Sequence, residues 1–177
     1  EEIIKTCVDE KRFEDMEIPF ALTTTDIENG EELTHTSGDL VKLIRASCSW
    51  PGIFTAVDID GRKLVDGGVR NSVPTKGAHE LGGTFVIAVD PGFAIKNAKI
   101  DSVLDAFIQG IQIMGEELNA YQGRVADVVI KPILEDIDQF GFDKSREIIA
   151  HGEIAAEKSM HCIKRKLVFQ KIKCPYK

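Results

Sequence analysis

Residues 64–74, with the sequence LVDGGVRNSVP, place an aspartate directly before two glycines. Asp66 could act as a general base, because a desolvated carboxylate has a raised pKa and can take a proton from a hydroxyl that is hydrogen-bonded to it. The same residues also predict a plain hairpin turn, since Asp-Gly between apolar runs is a strong turn signal and glycine adopts positive φ readily. By itself, this stretch favours the turn over the catalytic interpretation.

Three consecutive residues, Ser47, Cys48 and Ser49, are candidate nucleophiles in the segment RASCSWPGIF. Their predicted position at the end of a helix argues against that role. The helix dipole is negative at this end, whereas a developing oxyanion needs N–H donors. The segment therefore favours a packed turn braced by Trp50 and Pro51.

The four histidines, His35, His79, His151 and His161, have no catalytic context in the sequence. The segment HELGG begins like the zinc motif H-E-x-x-H, but Gly83 replaces the second metal ligand. The glycines form neither G-x-G-x-x-G nor G-x-x-x-x-G-K-[ST], which are the common nucleotide motifs. Asp90 follows an apolar run, at the position where open α/β sheets bind ligands, and is a weak site candidate.

Composition excludes several functional classes. The 177 residues carry 22 Lys and Arg against 29 Asp and Glu, and the resulting net charge of −7 argues against a nucleic-acid partner. The four cysteines are scattered without a C-x-x-C pair, which predicts neither a zinc site nor a disulfide framework. The sequence shows no membrane-spanning run and no signal peptide, so we expect a cytoplasmic protein.

Hydrophobic patterns predict an α/β fold in one domain, residues 1–177. Strands are expected in PFALTTTDI, in a returning strand after Asn29-Gly30, and in IFTAVDI and RKLVD, which Asp60-Gly61 joins. A helix is expected in SGDLVKLIRAS, capped by Ser37 or Asp39, and a short one after Pro74.

The second half of the chain predicts further strands and helices. TFVIAVD is expected to be a strand buried on both faces, and DVVIKPI a second buried strand. Helices are expected from Asp101 to about Arg124 and from about Asp143 to Gln170. The first of these carries a stripe that predicts core packing, made of Val103, Leu104, Phe107, Ile108, Ile111, Met114 and Leu118.

Four segments together resemble the C-terminal portion of the patatin-like phospholipase family, the serine lipid acyl hydrolases. They are IPFALTTTDIENGEEL, LIRASCSWPGIF, LVDGGVRNSVP and LGGTFVIAVD, and residues 125–156 are similar to the tail of the bacterial members. The resemblance implies a three-layer α/β/α fold and a Ser-Asp dyad without histidine. It implies that Asp66 is the base, and that Gly67, Gly68, Arg70 and Asn71 form or support one wall of the site.

The sequence departs from the family pattern because it contains no G-x-S-x-G and no Gly-rich oxyanion loop. We expect both upstream of Glu1, on a segment against which this chain packs; a first residue other than Met suggests a fragment. The resemblance further implies a lipid or ester substrate, transient contact with a membrane surface, and no metal or organic cofactor.

Two alternatives remain open at this point. The chain could be a non-catalytic interaction or regulatory subunit that keeps the fold without the nucleophile. It could also be a different α/β enzyme that uses Asp66 and Asp90 for metal-assisted phosphoryl chemistry.

Overall fold

The computed structural model describes residues 1–8, 12–92, 100–134, 137 and 142–173. These residues form two compact units, with unit 1 spanning Glu1–Gly83 and unit 2 spanning Thr84–Lys177. Each unit combines strands with helices, which confirms the predicted α/β class. The single domain over 1–177 stays a prediction. In the described part of the chain, no helix is both long enough and apolar enough to cross a membrane, and the cytoplasmic location stays a prediction.

Unit 1 contains a four-stranded antiparallel sheet in the order β2-β1-β4-β3. The strands are β1 (Leu22–Asp26), β2 (Glu32–His35), β3 (Val57–Ile59) and β4 (Arg62–Asp66). Both predicted hairpins are confirmed, because Gly30 adopts φ +74° and the pair Asp60-Gly61 adopts φ +52° and +77°. At Asp60-Gly61 both central residues have positive φ, which matches the twist of β3 and β4, so this turn sets their register.

The helices of unit 1 are α1 (Glu2–Val8), α2 (Leu40–Ser47), α3 (Gly68–Asn71) and α4 (Thr75–Glu80), with a 3₁₀ turn at Phe13–Asp15. Asp39 caps α2, as predicted, by accepting a hydrogen bond from the Lys42 N–H at 3.0 Å. The apolar face of α2 covers the sheet and forms the core of the unit. That core consists of Phe13, Leu22, Leu40, Leu43, Ala46, Val57 and Leu64.

Unit 2 contains two parallel strands, β5 (Ile87–Val89) and β6 (Val128–Ile130), with helices α5 (Val103–Gln122) and α6 (Ser145–Lys173). Short 3₁₀ turns lie at Gly123–Val125 and Phe142–Lys144. Ile163 of α6 packs against Val128 and Ile130, and this contact forms the core of the unit.

The expectation that the first strand of unit 2 is buried on both faces is wrong. Ile87 and Val89 are 43% and 56% exposed, although Ala88 between them is buried. The reason is that α6 packs on β6, while β5 is the edge of a sheet that has only two strands in the described residues.

The predicted core stripe of α5 is also wrong, although the helix itself is confirmed. Val103, Phe107 and Met114 are 89%, 57% and 67% exposed, and Gln112 and Asn119 are buried instead. On the buried side, the side-chain amide of Asn119 donates to the carboxylate of Asp90, just beyond β5, at 3.0 Å. A buried carboxylate requires such partners.

Candidate active site

Asp66 is the last residue of β4, and its position is fixed from two sides. It lies opposite Thr24 of β1 in the antiparallel register. Its backbone N–H donates to the carbonyl of Ser49, in the loop after α2, at 3.0 Å. The sheet and the loop after α2 therefore place Asp66 at the end of a rigid strand, which suits a residue whose position must be accurate.

The carboxylate of Asp66 is partly buried and has one backbone partner. Its Oδ1 accepts a hydrogen bond from the Gly68 N–H at 2.7 Å. Burial raises the pKa of Asp66 above its ordinary value, and the hydrogen bond from Gly68 opposes this shift. The group is thus a stronger base than a solvated aspartate, and one of its two oxygens is held in place.

Gly67 is required by a close approach of the backbone and not by positive φ, since its φ is −62°. A Cβ atom at this position would lie 2.4 Å from Oγ1 and 2.5 Å from the carbonyl oxygen of Thr23. The hairpin interpretation of the Asp-Gly-Gly stretch is therefore wrong. β4 is followed by the one-turn helix α3, which lies directly against β1, and no returning strand follows.

The other predicted wall residues belong to α3. Gly68 begins the helix and holds Asp66, whereas Arg70 is exposed. Asn71 ends the helix, and its Nδ2 donates to Oε1 of Glu32 in β2 at 2.9 Å. The structure thus brings Asp66, Gly67 and Gly68 together at the start of α3. Asn71, at the end of α3, is bound to the sheet through Glu32. The structure adds Glu32, which carries no motif in the sequence.

The segment with candidate nucleophiles is a packed turn next to Asp66. Ser47 Oγ donates to the carbonyl of Thr23 at 2.8 Å, and Ser49 Oγ donates to the carbonyl of Arg45 at 2.7 Å. Burial, together with the negative charge of Asp66, raises the pKa of the Cys48 thiol. Cys48 is exposed, and a raised pKa keeps its thiol mostly protonated near neutral pH.

Two histidines of unit 1 have defined hydrogen-bond partners. His35 Nε2 pairs with Thr24 Oγ1 at 2.8 Å, and burial lowers the pKa of His35, which favours the neutral ring. His79 Nδ1 lies 2.9 Å from the carbonyl of Gly83, which closes α4.

Asp90 belongs to unit 2, where its carboxylate is already engaged. Besides Asn119, it accepts the N–H of Gly92 at 3.0 Å and lies 3.6 Å from Lys131 Nζ. Within the described ranges, no group of three or more His, Cys, Asp or Glu side chains could hold a metal ion. The interpretation of Asp66 and Asp90 as a metal-dependent phosphoryl site therefore gains no support from the described residues.

Residues 1–79 match the family model described as patatin-like phospholipase. The chain is 38% identical over 81 residues to Neuropathy target esterase sws of Drosophila melanogaster, and the matched stretch covers 45% of this chain and 6% of that protein. It is 33% identical over 120 residues to Patatin-like phospholipase domain-containing protein ZK370.4 of Caenorhabditis elegans, covering 67% and 9%. It is 36% identical over 85 residues to Lysophospholipase NTE1 of Mycosarcoma maydis, covering 48% and 4%.

The chain thus spans less than a tenth of the length of these relatives. The matches confirm the predicted family resemblance, while the bacterial type stays a prediction.

Substitution of Gly67 by alanine tests the close approach to β1. We expect Gly67→Ala to destabilise unit 1 by about 1–3 kcal/mol, the usual cost of overpacking, because the backbone of Thr23 cannot move aside within a paired strand. The matched control is Gly77→Ala in α4, where the added Cβ would lie at an ordinary 3.6 Å from Thr34 Cγ2. Urea unfolding followed by the fluorescence of Trp50, the only tryptophan, reports on unit 1. Equal stability of the two variants would contradict the contact.

The pKa of Cys48 reports on the position of the Asp66 carboxylate. We expect Asp66→Asn to lower this pKa, because the amide no longer opposes formation of the thiolate, while burial keeps part of the shift. The measurement is the pH dependence of the iodoacetamide reaction rate in a background where the other cysteines, Cys7, Cys162 and Cys174, are serine. Asp58→Asn on the exposed hairpin is the control, and an equal effect of both substitutions would exclude a specific contact.

Proposed function

We propose that the chain takes part in the hydrolysis of carboxylic esters of lipids, because its residues 1–79 match the patatin-like phospholipase family model. Two of its relatives carry the names Neuropathy target esterase and Lysophospholipase. The observation that carries the proposal is the geometry of Asp66. It is a partly buried carboxylate with a raised pKa, on the last residue of a strand, with one oxygen held by a backbone N–H.

In this proposal Asp66 is the general base of a Ser-Asp dyad. Its Oδ2 takes the proton from a serine hydroxyl while the serine oxygen attacks the ester carbonyl carbon. The tetrahedral intermediate collapses, the C–O bond to the alcohol breaks, and the alcohol leaves with the proton from Asp66. Water then attacks the acyl carbon while Asp66 takes a proton from it, the bond between that carbon and the serine oxygen breaks, the serine oxygen receives the proton from Asp66, and the fatty acid leaves.

The serine comes from a segment outside these 177 residues, because the sequence contains no G-x-S-x-G. The three serines between residues 45 and 75, which are Ser47, Ser49 and Ser72, each donate to a backbone carbonyl. The same external segment supplies the oxyanion donors. The segment from Gly68 to Pro74, which contains α3, forms one wall of the site, and the exposed Arg70 contacts the polar part of the substrate.

The direct test replaces the base in a polypeptide that contains both this chain and the serine segment. We expect Asp66→Asn to reduce kcat for a short-chain ester by about 10²–10⁴-fold, the usual contribution of a general base. The fold is retained, because the amide oxygen can still accept the Gly68 N–H. Asp58→Asn is the matched control, since that carboxylate is exposed on the neighbouring hairpin, where it pairs with Lys63.

Two outcomes would contradict the proposal. Full turnover by the Asp66→Asn variant would show that another group is the base. If a fluorophosphonate probe labels no serine in the complete polypeptide, the reaction itself is excluded, and a non-catalytic subunit that keeps the fold becomes the better interpretation.

A further inference from the structure

The carboxylate of Asp66 depends on the position of α3. The only turn of this helix begins with Gly68, whose N–H contacts Asp66 Oδ1 at 2.7 Å. If α3 moves, this donor moves with it, and the carboxylate loses its orientation. The contacts that hold α3 therefore decide how well Asp66 is positioned.

Several hydrogen bonds of α3 are made within its own loop. The carbonyl of Gly67 accepts the N–H groups of Arg70 and Asn71 at 3.0 and 2.8 Å. Ser72 Oγ donates to the carbonyl of Gly68 at 3.1 Å. Such bonds keep the turn intact but do not fix it relative to the sheet. The bond from Thr25 Oγ1 to the Gly67 carbonyl does reach the sheet, but it is long, at 3.5 Å.

The side chain of Asn71 provides a stronger connection to the sheet. Its Nδ2 donates to Oε1 of Glu32 at 2.9 Å. Glu32 is the first residue of β2 and pairs with Thr25 of β1, so the bond spans from the end of β4 to the far edge of the sheet. A hydrogen bond from an amide to a carboxylate is stronger than a hydrogen bond between two neutral groups.

The second polar atom of Asn71 shows that this side chain is held inside the protein. Its Oδ1 is buried and has no hydrogen-bond partner among the described residues. A buried acceptor without a partner is costly, and a side chain that moved outward would gain water at this atom. The hydrogen bond to Glu32 therefore keeps the Asn71 side chain in place, although an outward movement would allow water to bind its Oδ1 atom.

We propose that Glu32 is a positioning residue for Asp66: it holds Asn71, which fixes α3, which in turn fixes the Gly68 N–H on the carboxylate. Its effect on turnover rests on the proposed function. Its effect on the geometry of Asp66 does not, and can be measured separately.

The first test uses the Cys48 thiol and needs no activity. We expect Glu32→Ala to lower the Cys48 pKa part of the way toward the value in the Asp66→Asn variant, because a carboxylate that is no longer fixed is better hydrated and farther from the sulfur. Glu32→Gln keeps the acceptor for Asn71 without the charge, and we expect it to leave the pKa unchanged. Asn71→Ala should reproduce the Glu32→Ala result.

These variants separate positioning from two simpler explanations. If the alanine and glutamine substitutions lower the pKa equally, the effect is that of the Glu32 charge, and the proposal is wrong. No shift in either variant would also overturn it. Glu31→Ala is the matched control, because this neighbouring carboxylate pairs with Arg62 on the surface. Trp50 fluorescence verifies that each variant is folded, and Asn71→Ala still tests the proposal if Glu32→Ala does not fold.

The second test measures turnover in the polypeptide that also carries the serine segment. We expect Glu32→Ala to lower kcat by about 10–100-fold with little change in KM, since misplacement of a catalytic group by about 1 Å has effects of this size. We expect Glu32→Gln to restore turnover. If the unmodified polypeptide hydrolyses no ester, the proposed function fails, while the thiol measurement still decides whether Glu32 positions Asp66. Equal turnover of Glu32→Ala and the unmodified polypeptide would overturn the kinetic part of the inference.

Discussion

The close approach of the Gly67 backbone to β1 is the constraint on which the candidate site depends. At this position a Cβ atom would overlap both the side chain and the carbonyl of Thr23. The chain can therefore leave β4 immediately after Asp66 and form α3 against the sheet. This path places the Gly68 N–H in front of the carboxylate that precedes it by two residues. A bulkier residue at 67 would displace α3 and the donor together.

The electrostatics of Asp66 follow from this geometry. The carboxylate is partly enclosed by the strand, by α3 and by the loop after α2, and this burial raises its pKa. The hydrogen bond from the Gly68 N–H opposes this rise in pKa. Asp66 can therefore still be ionised, as a general base must be before it accepts a proton. The same enclosure brings Cys48 close enough for its thiol to respond to the carboxylate. Burial and a single donor thus account for the electrostatic properties of both side chains.

Local signals in the sequence predicted the elements that depend on neighbouring residues. The Asn29-Gly30 and Asp60-Gly61 turns require positive φ, and Asp39 caps α2, so both hairpins and this helix were identifiable. Contacts between residues far apart in the sequence could not be identified in this way. The bond between Glu32 and Asn71 joins residues 39 positions apart, and neither residue carries a motif for it. The family resemblance, and not the turn signal, indicated a role for Asp66, whose hairpin interpretation was wrong.

The exposed stripe of α5 shows the same limit. Helical periodicity placed apolar residues inward, but the buried side of α5 carries Gln112 and Asn119, and the amide of Asn119 binds the buried Asp90 carboxylate. Periodicity describes which residues share a face of a helix and does not report what that face meets.

The most direct test of the account is a crystal structure of a polypeptide that carries both this chain and the segment with the reactive serine. The decisive quantity is the distance from the serine Oγ to Asp66 Oδ2. The account predicts a direct hydrogen bond of about 2.6–3.2 Å, with no histidine between the two groups. A serine that is paired with a histidine or another carboxylate, with Asp66 out of hydrogen-bond reach, would contradict the central claim.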